Sequence, residues 1–378
     1  DEVLSQFSSA NVIDAGGRAV CPSFVDPHTH IVFGGNRLAE FEQKIKGADY
    51  LEILAAGGGI ISTVRQTREA DLAELIDESR GRLDKMLACG TTWCEVKTGY
   101  GLDTETEIKM LEAIAALDRD HSVELVPTFL GAHAVPPEFR EHTPDYVDLI
   151  CSEMLPAVWN WYRNSHFPSA GKLIFCDVFA EKNAFDTGQS ERILDTARQL
   201  GFRLKAHVDE FTNIGASRMA IGLNAASIDH LDQISEGEIA LLAASETIGV
   251  ITPTVNFNFG SSTFANARDL IDAGCAIALS TDYNPGSAPC PSQPMAMAIA
   301  CRYQRMLPAE CLNATTINAA SAIGVVGVTG SIEVGKRADL LILNATDHRE
   351  IMYEFGGGPV GTVISAGEQV WPPAADRP

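Results

Sequence analysis

The feature that most narrows the folds open to this chain is an alternation. Short apolar, β-branched runs recur along it, each closed by polar residues, Gly or Pro, and helical patterns fill several of the gaps. The runs are "AVCPSFVDPHTH", "GTTWCEVKTGYG", "SVELVPTFLGAH", "KLIFCDVFAE", "GFRLKAHVDE", "AASIDHLD", "TIGVITPTVNF" and "CAIALSTDYNPG", eight in all. Between them, "DLAELIDESRGRLDKMLACG", "ETEIKMLEAIAALDRD", "QSERILDTARQLG" and "GEIALLAASE" place apolar residues at helical spacing. Gly90 and Gly201 stand where a helix C-cap calls for glycine. Strand and helix alternating eight times predicts an α/β chain folded as a (β/α)8 TIM-like barrel, because each parallel strand needs a crossover to reach the next.

After "NATTINAASAIG" the pattern changes. "GSIEVGKRADLLILNA" and "PVGTVISAGEQVW" read as strands joined by turns without intervening helices, and a short β segment, "NVIDAGGRAV", precedes the first barrel strand. The chain therefore divides into a small β-sandwich domain from residues 1–19 and 324–378, its N-terminal part too short to be complete, and a barrel over residues 20–323. "AAGGGI", at 55–60, reads as a loop.

Charge and cysteine usage narrow the function. A formal net charge of −22 opposes binding to nucleic acid or anionic membranes, both of which need basic surfaces. No run of apolar residues is long enough to cross a bilayer, and the first residues lack a basic segment followed by an apolar one, so we expect a soluble protein without a signal peptide. Nine cysteines are scattered singly with no CxxC pair, which predicts free thiols in a reducing cytoplasm. There is no dinucleotide fingerprint, no phosphate loop and no GxSxG elbow.

In such barrels the reactive groups gather at the C-terminal ends of the strands. Strand one ends in His28 and His30; side chains two apart on a strand point the same way, so both imidazoles face the barrel mouth. Strand five ends in His207 with Glu210 three residues on, strand six in His230 and strand eight in Asp282. Strand two contributes Glu95, Lys97 and Tyr100, and strand three ends in His133. One strand-end histidine is more often structural than functional, but chance does not place ligands at matching ends of nonadjacent strands. His28, His30, His207 and Asp282 offer three nitrogens and an oxygen, a set that suits one divalent ion, Zn²⁺ or Fe²⁺. Glu95 and Lys97 are expected to form an ion pair inside the barrel.

"GKRADLLIL" resembles the closing β segment of the amidohydrolase superfamily. "PSFVDPHTHIVFGGNR", "EVKTGYGL", "TFLGAHAVP", "DVFAE", "AHVDEF", "SIDHL" and "LSTDYNPGS" together resemble one family within it, the imidazolonepropionases, from about residue 11 to the end. The resemblance implies hydrolysis of a non-peptide C–N bond in histidine degradation. The ring of 4-imidazolone-5-propanoate would open to N-formimidoyl-L-glutamate by attack of metal-bound hydroxide on the ring carbonyl. It implies the metal ligands His28, His30, His207 and Asp282, and an acid–base pair of Glu210 and His230, with Asp282 also taking a proton. It implies substrate contacts from Arg37, Tyr100, His133, Asn284, Gly286 and Ser287, with Arg37 as the cation that holds an anionic tail against the acidic chain. A homodimer is implied too. Two-metal members of the superfamily bridge their ions from the end of strand four, where this chain reads "DVFAEK" with Glu181 and Lys182; the imidazolonepropionase resemblance implies a single ion. "NWYRNSHFPSAG", around 160–171, is longer than the family's usual link between strands three and four. The alternative function is that of another mononuclear amidohydrolase, such as a nucleobase deaminase, which would share the ligands but not need Arg37.

Overall fold

The structure, a computed structural model, describes residues 12–47 and 58–373. Of the expected 55–60 loop, residues 55–57 lie outside the described residues, as does residue 11 of the early β segment; Gly59 precedes a helix over Ile60–Glu69.

Eight parallel strands form the barrel in chain order: β2 (Phe24–Asp26), β3 (Thr91–Lys97), β4 (Glu124–Ala132), β5 (Phe175–Ala180), β6 (Arg203–Val208), β7 (Ser227–His230), β8 (Ile248–Ile251) and β9 (Ile277–Leu279). Every residue of β3 is buried, since one face packs inside the barrel and the other under helices. The crossover helices start and stop on local chemistry. Asp71 and Glu74 form a capping box at the helix Leu72–Ala88, and Asp103 caps Thr104–Asp120. The helix Thr187–Leu200 ends on Gly201, at φ 115°, where a Cβ would stand 2.6 Å from the Trp159 ring.

The barrel closes between its first and last strands by a different means from the other joints. Among the described residues the backbone pairing there lies beyond both strands, a bridge between Thr29 and Tyr283 with His30 N donating to Tyr283 O at 2.9 Å. Side chains do the rest. The Asp26 carboxylate accepts from Ser280 Oγ and Thr281 Oγ1, both at 2.5 Å, and Ser280 Oγ lies 2.6 Å from His28 O.

A second, antiparallel sheet is built from both chain ends, in the order β1 (Val20–Pro22), β10 (Leu340–Leu343), β11 (Val360–Ser365), β12 (Glu368–Trp371). This corrects two expectations. The run "AVCPSFVDPHTH" is two strands in two sheets, because β1 pairs with β10 while β2 pairs with β3; a short apolar run carries no periodicity that marks such a break. The small sheet thus takes in Val20–Pro22, three residues assigned above to the barrel, and residues 12–19 lead into it as irregular chain with a turn at Gly16 and Gly17. A one-turn helix, Glu350–Tyr353, also interrupts the tail. The sheet is tied to the strands' N-terminal end of the barrel through Trp93 Nε1, which donates to Asp339 Oδ2 at 2.9 Å, and Arg337, which pairs with Asp339 and Glu124.

The long link at 160–171 lies at that same end. It runs from the helix Leu155–Asn164 toward the start of β5, with His166 Nε2 2.7 Å from Asp118 Oδ2, and so takes no part in the barrel mouth. All nine cysteines are free. Among the described residues no helix is long and apolar enough to cross a membrane.

Candidate active site

The floor of the mouth is a buried charge cluster. Lys97, from the end of β3, lies 2.8 Å from Glu95 Oε2, 2.6 Å from Asp177 Oδ2 and 3.5 Å from Asp229 Oδ2. Lys205, on β6, lies 3.2 Å from Glu95 Oε2 and donates to Pro27 O at 2.8 Å. Burial works against the Lys97 ammonium, but Asp177, Glu95 and Asp229 together hold its pKa above the ordinary lysine value. The expected Glu95–Lys97 ion pair is there, as part of a larger network.

Two carboxylates of that network reach up to histidines. Asp229 Oδ2 is 2.6 Å from His28 Nδ1, and Asp177 Oδ2 is 3.1 Å from His207 Nδ1. An ionised carboxylate only accepts, so His28 Nδ1 carries the proton and its Nε2 is left as a lone pair aimed into the mouth. Lys97 touches both carboxylates, so one ammonium steadies both imidazoles.

Above this floor the expected ligands converge. His28 Nε2 and His30 Nε2 are 3.2 Å apart, and each is 3.5 Å from Asp282 Oδ1. The His207 ring centroid is 4.4 Å from that of His28, and its Nε2, though buried, has no hydrogen-bond partner. Burial, helped by neighbouring cations, lowers His28 and His30 well below the usual imidazole range, so both are neutral donors of electron pairs. Asp282 lies three residues past β9 at φ 47°, a left-handed conformation that turns the carboxylate back over the barrel; burial raises its pKa to about 7 against the opposing effects of His207 and Asn284. Several buried lone pairs facing one another across hydrogen-bond distances, with a carboxylate beside them, fit one divalent cation.

Glu210 and His230 flank this point. Glu210 Oε2 is 3.9 Å from His230 Nε2, and Thr252 Oγ1 is 3.0 Å from His230 Nδ1. His230 and the following Leu231 have φ values of 83° and 67°, a strained left-handed pair at the end of β7. Burial, then the Asp282 charge, pushes the Glu210 carboxyl well above its ordinary value, while burial and His207 push His230 well below its own. His28, His207 and His230 also lie close enough to share an ion, so the structure brings His230 nearer the ligands than the sequence alone implies.

The wall facing the cation point is built from loops. Gly99, Gly101 and Leu102 each donate a backbone N–H to the buried carboxylate of Glu107, which fixes Tyr100 between them. His133 Nδ1 donates to Gly99 O at 3.0 Å and its ring stacks on His30 at 5.0 Å; burial and His207 push its pKa down to about 3. Arg37, the cation expected to hold the anionic tail, is paired within its own loop. Its Nε and Nη2 donate to Glu40 Oε2 at 2.8 and 2.6 Å, and its Nη1 lies over Gly286, where a Cβ would be 2.0 Å away. Asn284 spends its amide on the loop itself. It donates to Asp282 O and Ser287 Oγ and accepts from Gly286 N and Ser287 N, so it sets the shape that carries Asp282 and the Arg37 contact.

Sequence reasoning missed Asp177, Asp229, Lys205, Glu107 and Thr252. A signal existed for the first three, each a charged residue inside an apolar strand run ("IFCDVF", "SIDHL", "RLKAHV"), since a buried charge needs a partner. Thr252 and Glu107 carry no such mark.

Known proteins resemble this chain in sequence and in fold. The pattern of the amidohydrolase family matches residues 183–370. An imidazolonepropionase of Chloroflexus aggregans is 55% identical over 98% of this chain and 86% of its own. Among solved structures, E. coli guanine deaminase is similar with a TM-score of 0.73 at 15% identity, covering 98% of this chain and 88% of that one. An adenosine deaminase from Xanthomonas campestris with bound zinc has a TM-score of 0.66 at 20% identity, covering 93% and 80%. At those identities the structural likenesses concern the fold.

Proposed function

This chain belongs to the imidazolonepropionase family of the amidohydrolases, which open the ring of 4-imidazolone-5-propanoate to N-formimidoyl-L-glutamate, and from that premise we propose a role for each residue at its barrel mouth. The observation that carries the reading is the convergence of His28, His30 and Asp282 within 3.5 Å of one another beside the unpartnered Nε2 of His207. These four hold one divalent ion, Zn²⁺ or Fe²⁺. Such an ion supplies a Lewis acid and makes water nucleophilic near neutral pH.

The protein's own groups handle position and protons. Asp282 accepts the proton of the attacking water. Glu210, which burial keeps ready to hold a proton, passes one to the ring nitrogen that leaves. Thr252 fixes His230 at Nδ1, so that Nε2 is free to polarise the ring carbonyl. Tyr100 and His133 border the heterocycle, and the guanidinium of Arg37, oriented by Glu40, receives the propionate.

The direct test is turnover of freshly generated imidazolone propionate, followed by its ultraviolet absorbance, with metal analysis of the same sample. We expect formimidoylglutamate to form in proportion to bound zinc or iron. Folded, metal-replete protein that leaves this substrate untouched but releases ammonia from aminated nucleobases would replace the reading with a deaminase.

The Arg37 site gives a finer check. In Gly286→Ala the new methyl group must displace the guanidinium, and in Arg37→Met the charge is gone. Both variants should raise KM on the order of 10-fold to 100-fold with little change in kcat, the loss of one charge-assisted contact to a group remote from the reacting bond. Unchanged kcat/KM in Arg37→Met would dispose of the anchor.

A further inference from the structure

We propose that Glu181, at the end of the fourth barrel strand, is a positioning residue for Glu210: it grips the backbone that follows Glu210 and so aims the acid–base carboxyl at the mouth. The inference rests on the role given to Glu210 above.

Glu210 has little of its own to hold it. Its Oε2 stands 3.9 Å from His230 Nε2, beyond hydrogen-bond length. Its direction is therefore set by the chain on either side. On the N-terminal side Asp209 sits at φ 55°, and its Oδ2 accepts from Ser217 Oγ at 2.5 Å. On the C-terminal side Glu181 does the holding. Its Oε2 accepts from Phe211 N at 3.0 Å and Thr212 N at 3.1 Å, and its Oε1 accepts from the Thr212 hydroxyl and from Lys182 N.

Glu181 is 5% exposed and immediately follows β5, so its own backbone is anchored by the barrel. A buried carboxylate that accepts three hydrogen bonds from the loop after Glu210, and a fourth from its own neighbour Lys182, is a clamp, and both of its oxygens are committed. This also bears on the question raised by "DVFAEK". A residue whose oxygens are both engaged by residues 182–212 is not placed to bridge a second ion, and Lys182 is exposed. Glu107 clamps the loop of Tyr100 in the same way, which shows the device used twice around one mouth.

The test is a double-mutant cycle. kcat, KM, bound metal and melting temperature are measured for Glu181→Ala, Glu210→Gln and the two combined, with Glu181→Gln and Thr212→Val alongside. Glu181→Ala should lower kcat on the order of 10²-fold, the effect of about 1 Å of misplacement, with metal content retained. KM should stay within about threefold, because the substrate anchors are elsewhere. In the Glu210→Gln background the same change should lower kcat no further. Glu181→Gln keeps one oxygen for the two N–H groups and should recover about tenfold of the loss.

Losses that multiply in the double variant overturn the positioning role and leave Glu210 in place, as does a Glu181→Ala enzyme of near-normal kcat. A Glu210→Gln enzyme of near-normal kcat overturns both readings at once. Should Glu181→Ala fail to fold, Thr212→Val, which removes only the hydroxyl bond to Glu181, is put through the same cycle and judged by the same additivity.

Discussion

Asp282→Ala is expected to abolish turnover while the protein remains folded. The Asp282 carboxylate is the one that stands 3.5 Å from both His28 Nε2 and His30 Nε2, and in the reading above it is at once ligand and proton acceptor. Its burial raises its pKa to about 7 despite His207 and Asn284, so the site holds the charge at a cost that a bound cation would offset. Removing the carboxylate therefore removes an unfavourable burial along with the function. Circular dichroism should show a native fold, and the metal-free variant should melt no lower than metal-free wild type, while metal content falls and product formation ceases. Near-normal activity in this variant would refute the ligand role.

The second large effect is Glu210→Gln. The amide keeps the shape and volume of the carboxyl but cannot exchange a proton, and general acid–base help is typically worth about 10²–10⁴-fold. kcat should fall by an amount in that range, with metal content intact and KM little altered. A loss of less than about tenfold would assign the proton transfer to another group. His230 is the nearest alternative, and its low pKa already keeps it neutral, a poor state for supplying a proton but a good one for a hydrogen bond to a carbonyl.

The two variants separate binding of the cation from use of it. One loses metal and activity together; the other keeps the metal and loses only the rate.

What the sequence revealed, and what it concealed, follows from the range of the interactions. The barrel was legible because alternating runs of strand and helix periodicity are local, and eight of them leave few architectures. The convergence of the histidines was legible for a related reason: a histidine that ends an apolar run has a direction fixed by the strand. The first run was misread because the break between β1 and β2 is set by tertiary pairing, Cys21 with Leu341 and Val25 with Trp93, which no local pattern records. Arg37 lies against Gly286 in the loop after the last barrel strand, and its partner Glu40 depends on how its own loop folds back. The motif around Asn284 implies a substrate contact; that its amide also shapes the loop follows from tertiary geometry the motif does not record. The carboxylates Asp177 and Asp229 are harder to read, because the imidazole that each meets is contributed by another strand, His207 for Asp177 and His28 for Asp229.

The joint between β2 and β9 has a consequence in the making of the protein. The contact from Ser280 to Asp26 spans 254 positions, and His28 and His30 lie on one side of the joint with Asp282 on the other. The ligand set is thus divided between the part of the barrel synthesised first and the part synthesised last. During translation the two imidazoles wait, without their carboxylate, until the eighth strand has emerged and the wall has closed on itself. A shortened chain would hold an incomplete half of the site and not a weaker whole, so maturation of the centre is a report on completion of the barrel.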